Sequence, residues 1–185
     1  MRVAAVAGAA GAAVLAAVAL GAYAADRAPA SGQTATALTA ADLRGVPAPD
    51  RKLTIASQRW LALTRAPVPS LRSLGFAHPG AKSIRVNRTR AQLTGRNGRQ
   101  RFPYPRKTVV VKTVSNGGTV TLVAIMRRVA AGDDPSAWRY VEYKRGSGGG
   151  TFTRVGGGQS LCSSCHVSAT DVQGSDAVFT RLAPR

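Results

Sequence analysis

Apolar and polar positions follow a strand-like period most clearly in the second half of the chain. Thr108-Val109-Val110-Val111-Lys112-Thr113-Val114 is β-branched almost throughout, the composition that strands favour. Ser115-Asn116-Gly117-Gly118 supplies a hairpin turn, and residues 119–126 return as a second apolar strand. Residues 138–143 alternate, with Trp138, Tyr140 and Glu142 on one face and Arg139, Val141 and Tyr143 on the other. Residues 83–87 predict a shorter strand with Ile84 and Val86 inward.

Helical periodicity is weaker. Leu53, Ile55, Ala56, Trp60, Leu61 and Leu63 predict a short helix over residues 53–63, ended by Ala66-Pro67-Val68-Pro69. A brief helix is predicted at 89–93, followed by a basic loop at 94–101. Residues 70–80 read as loop with a His78-Pro79-Gly80 turn, and residues 132–135 as another turn. Residues 146–158 are glycine-rich and predict a flexible flap. No Lys-Ser/Thr pair follows them, so they are not a phosphate loop. A last helix opens at 162–166, and residues 176–182 close the chain. The expected fold class is β-rich α+β: an antiparallel sheet with a few peripheral helices, over residues 51–185.

The N-terminal residues change the compartment. Residues 1–25 read as a signal peptide, with Arg2 before an apolar run and a small-x-small site at Ala22-Tyr23-Ala24. The rival is an uncleaved anchor that would tether the domain to a membrane, but the run is mostly alanine with interspersed glycine. Residues 26–50, rich in Ala, Thr, Pro and Gly, read as a flexible linker with a short helix at 40–44. The domain is therefore expected in the periplasm. The 26 Lys+Arg against 8 Asp+Glu of the whole chain suggest nucleic acid at first, but an exported domain with scattered basic residues should bind none. The charge reads as a solvated surface, helped by attraction to an acidic redox partner or membrane surface.

The candidate chemistry is Cys162-Ser163-Ser164-Cys165-His166. Two cysteines three apart with a histidine directly behind form the pattern for attaching a c-type haem. Each thiol adds to one vinyl group, and His166 reaches the iron as its proximal ligand. Other readings compete. A zinc half-site lacks a second cysteine pair, with His78 the sole other histidine. A thioredoxin-like redox pair lacks surrounding strand–helix alternation, and a plain disulfide is the third alternative. The expected cofactor is one haem c with its iron, enclosed by the sheet. His78 reads as an exposed loop residue, with haem ligation the minor alternative.

Three anchors in series carry a resemblance over residues 57–185: Cys162-Ser163-Ser164-Cys165-His166 followed by residues 176–181, the strand 108–112 behind Phe102-Pro103, and the tryptophan-led strand 138–143. Together they resemble the cytochrome P-460 family, which includes the related β-rich cytochromes c′. The resemblance implies an antiparallel β-sheet domain, commonly a homodimer, with one five-coordinate haem open on its distal side. It also places Lys112 where hydroxylamine-oxidising members cross-link a lysine to the porphyrin. Read by itself, a lone lysine in an apolar strand snorkels or guards a sheet edge.

One departure stands out: where those members carry an acid on the strand after the hairpin, this chain reads Val123. The distal side is then expected to be apolar, suiting a neutral gas such as nitric oxide. The expected function is an exported monohaem oxidoreductase of hydroxylamine or nitric oxide serving a redox partner protein. The alternative is a gas-binding or electron-transfer cytochrome without turnover, in the latter case with Met126 as sixth ligand.

Overall fold

The computed structural model describes residues 37–65, 78, 81–132, 134–146, 149–156, 158–173 and 180–182. The expected signal peptide, most of the loop at 70–80 and most of the closing segment at 176–182 lie outside them. Residues 36–185 form one compact unit.

Seven strands make a sheet in the order β6-β5-β4-β3-β2-β1-β7, and every neighbouring pair is antiparallel. They are β1 (Leu61–Arg65), β2 (Ala81–Val86), β3 (Val109–Asn116), β4 (Thr119–Arg128), β5 (Trp138–Arg145), β6 (Phe152–Arg154) and β7 (Thr180–Leu182). The β-rich expectation holds, and the β3–β4 hairpin forms where its residues predict. Gly117 and Gly118 sit at φ 55° and 81°, so both central turn positions need the left-handed backbone that glycine adopts without cost.

Three helices accompany the sheet: α1 (Ala48–Ser57), α2 (Arg90–Leu93) and α3 (Gly158–Gln173). Asp134 caps a single 3₁₀ turn over Pro135–Ala137 before β5. Thr89 and Gln92 close a reciprocal capping box on α2, which stops the backbone of that single turn from fraying.

Three expectations need correction. The helix predicted over 53–63 ends at Ser57, and Leu61–Arg65 is a strand. Leu63 is buried while Ala62 is exposed, a period of two that the helical reading overlooked. The glycine-rich flap contains β6, which pairs with β5 from Tyr143↔Arg154 to Arg145↔Phe152. The linker reading of 26–50 fails from residue 37 onward. Leu43 and Val46 are buried, and the Gln58 side chain accepts from the Leu38 N–H at 2.7 Å and donates to its carbonyl at 3.0 Å. The Phe152 N–H donates to the Arg44 carbonyl at 2.8 Å, so this strap protects the edge strand β6. Next along it, Gly45 sits at φ +93°, where a Cβ would run into the Phe152 backbone. Residues 40–44 form hydrogen-bonded turns in place of the expected helix.

The sheet has two apolar faces. One carries Val86, Val110, Met126, Trp138 and Tyr140, with Ile84 and Cys162 packed against them. The other carries Val111, Val123, Ile125, Val141 and Tyr143 beneath Leu43, Val46 and Ile55. Burying both faces drives the fold, at about 25 cal/mol for each Å² of apolar surface removed from water.

Candidate functional site

The cysteine–histidine motif lies in the second and third turns of α3, so Cys162, Cys165 and His166 stand at i, i+3 and i+4 on one helix face. Gln159 docks this helix on the sheet. Its side chain accepts from the Tyr140 N–H at 3.1 Å and donates to the Trp138 carbonyl at 3.0 Å. One turn on, Cys162 meets the apolar cluster of Val110 and Met126, and the His166 ring lies 5.1 Å from that of Tyr140.

Register fixes what faces the helix. Val110, Met126 and Tyr140 are aligned across β3, β4 and β5, and the next rung on the same face is Lys112, Ala124 and Glu142. Lys112 is half-buried there. Burial lowers its amine from 10.5 to about 8, although Glu142 and the two thiols pull the other way. Burial raises the Glu142 carboxyl above its ordinary range, while Lys112 and Lys144 oppose the shift. Burial and the Glu142 charge push the Cys162 thiol up. A redox-active Cys-x-x-Cys pair needs the opposite shift, which weighs against the thioredoxin-like reading.

His78 joins this face, where its sequence context suggested an exposed loop. Its side chain is 19% exposed, and Nε2 lies 3.5 Å from Glu142 Oε2. Burial and the charges of Lys112 and His166 lower the imidazole from 6.5 to about 3. Near pH 7 the ring in this contact is therefore neutral. His78 Nδ1 is buried with no hydrogen-bond partner among the described residues, and such an orphan costs about 1–3 kcal/mol.

Sequence reasoning missed Glu142 as a site residue. The signal was present, because Glu142 is in phase with the inward Trp138 and Tyr140 of an alternating strand. Val123, to which the missing acid was assigned, is fully buried on the opposite face beneath α1. Its apolar side chain therefore does not face the motif, whose own sheet face carries Glu142 with His78 beside it. Met126 is 8% exposed on the motif's face, packed in the core.

The residues fit a c-type haem. Both thiols are free, Cys162 is half-buried against apolar side chains, and His166 shares their helix face. The orphaned His78 nitrogen is a polar atom that awaits a partner on that side of the sheet. Among the described residues no three His, Cys, Asp or Glu side chains form a group able to hold a metal ion by themselves. What they offer is three separate attachments along one helix. No helix of the described residues is long and apolar enough to cross a membrane. Set beside models of known protein families, the chain matches none. Set beside curated proteins, it likewise matches none.

Proposed function

We propose that the chain is an exported monohaem c-type cytochrome acting in the redox chemistry of hydroxylamine or nitric oxide. One observation carries the reading: a thiol–thiol–imidazole helix face packed on the sheet face that bears Lys112 and Glu142. Haem bound there would supply an iron that takes a small nitrogenous ligand and passes electrons to a redox partner protein.

The chain's own residues define the rest. Cys162 and Cys165 would anchor the ring, and His166, whose own ring lies against Tyr140, would ligate the iron. With its amine at about 8, Lys112 is neutral in about one molecule in ten at pH 7. That neutral form would be able to rest against the edge of a bound porphyrin without burying an unpaired charge. Glu142, its carboxyl raised by burial, is suited to take and return a proton at Oε2, beside the neutral His78 ring. This carboxylate favours turnover over a passive gas carrier. Met126, buried one rung from Lys112, keeps a second reading open: an electron carrier with that thioether on the iron.

The test is chemical. After denaturation and extraction with acidified organic solvent, the haem should stay with the protein, and Cys162→Ala with Cys165→Ala should yield a haem-free chain. Haem released into the solvent phase overturns the reading. In the reduced protein, a strongly red-shifted Soret band indicates a Lys112-modified ring, and an ordinary c-type spectrum excludes it.

A further inference from the structure

A cavity of about 410 Å³ opens where α1, strands β4 to β6 and the first turn of α3 meet. Its walls include Arg127, Arg139 and Arg154 together with Asp50, Tyr143 and Gln159. Two features set it apart from a solvated basic surface. Arg127 and Arg139 are direct partners across β4 and β5. Like charges at directly opposed positions, with Cβ atoms about 5 Å apart, repel and destabilise a sheet.

The carboxylate present is also already engaged. Asp50 pairs with Arg127 and accepts the Tyr143 hydroxyl at 2.5 Å. That hydroxyl, pushed up to about 12 by burial and by Asp50, stays protonated and donates inward. Arg139 and Arg154 are exposed and make no ion pair among the described residues. Arg154 stands opposite Tyr143 in the β5–β6 register, so both guanidinium groups flank the same opening. Three arginines against one aspartate leave two positive charges on the cavity wall.

We propose that this cavity binds a phosphate group, held between Arg139 and Arg154 with Arg127 behind them. Guanidinium groups match phosphate oxygens in two-pronged geometry and stay charged at every physiological pH. A dianionic phosphate neutralises the two excess charges and turns the Arg127–Arg139 repulsion into shared attraction. The volume exceeds that of the bare ion, which leaves room for the organic part of a phosphomonoester. Gln159, in the first turn of the motif's helix, borders the site, but Cys162, Cys165 and His166 do not line it, and the inference does not rest on the haem reading.

Calorimetric titration of the full chain with inorganic phosphate, at an ionic strength held constant with chloride, tests it. Saturable one-to-one binding is expected, weakened at least about tenfold in Arg139→Gln/Arg154→Gln, because a hydrogen bond to a charged group is worth a factor of ten or more. Arg96→Gln/Arg99→Gln removes the same charge from an exposed loop and should leave affinity within about twofold. A melting measurement adds a second readout: phosphate should raise the wild-type Tm but not that of Arg139→Gln/Arg154→Gln. Co-sedimentation with phosphatidylcholine vesicles containing phosphatidic acid separates the two sources of the group. Free phosphate binding marks a soluble ligand, and vesicle binding alone, dependent on Arg139 and Arg154, marks a lipid headgroup. Absence of both, or equal loss in the two double variants, overturns the proposal.

Discussion

Replacing Lys112 by methionine should stabilise the haem-free protein. The magnitude follows from the amine's surroundings. A group whose value falls from 10.5 unfolded to about 8 folded is penalised for carrying its charge. At about 1.4 kcal/mol per unit, the protonated amine costs the fold about 3 kcal/mol at pH 7. Methionine has a similar length and no charge, so Lys112→Met should recover most of that cost. The pH dependence has a definite sign. Between pH 8 and 10.5 the unfolded chain holds the proton and the folded chain does not, so wild-type stability rises with pH across that window. The advantage of the variant should shrink over the same range. Urea denaturation of both proteins, expressed without haem attachment and measured from pH 7 to 10.5, reads this directly. A destabilised variant, or a wild-type curve that is flat above pH 8, would show that the amine is solvated and refute the reasoning. A costly lysine retained in a core strand is the kind of feature a protein keeps for function at the expense of stability.

Other outcomes are open to simpler checks. Met126→Leu nearly conserves volume and should cost under about 1.5 kcal/mol; an unchanged resting spectrum of the haem-loaded protein would exclude the thioether as ligand. Leu43→Ala should cost about 2–5 kcal/mol in urea denaturation, because the side chain is fully buried beneath the sheet; a free linker there would leave stability unaltered. His78, neutral when folded down to about pH 3, should make stability fall as pH drops below 6.5, by up to about 1.4 kcal/mol per unit, and His78→Gln should flatten that slope.

Short-range signals in the sequence predicted their elements well. The β-branched run at Val109–Asn116, the two glycines of its turn and the alternation at Trp138–Arg145 each encode local geometry without help from distant residues. The motif's helix was legible for the same reason. Elements stabilised by distant partners were not. Leu61–Arg65 has helix-compatible residues and becomes a strand because β2 and β7 flank it. Leu43 and Val46 resemble linker residues until Phe152 and Ile55 are seen to cover the same face. The inward phase of Glu142 was legible in its alternating strand, but the rung it shares with Lys112 two strands away was not. Val123 was assigned through the resemblance, and the register of the hairpin puts it on the face away from Lys112.

The β1–β7 pairing also sets an order of events in time. Leu63 meets Leu182, and Arg65 meets Thr180, across nearly the whole length of the domain. Closing so long a loop carries a high entropic cost, so this seam should form after the β3–β4 and β4–β5 ladders, whose partners are close in sequence. Helix α3 lies between β6 and β7 in the chain, so it is joined directly to the strand that closes this seam. Its thiols thus pass through an interval in which the rest of the sheet exists as a platform but the final strand has not locked. Covalent capture of a large flat ligand would be timed by that interval. Its schedule would come from topology rather than from thiol reactivity, which the burial of Cys162 keeps low.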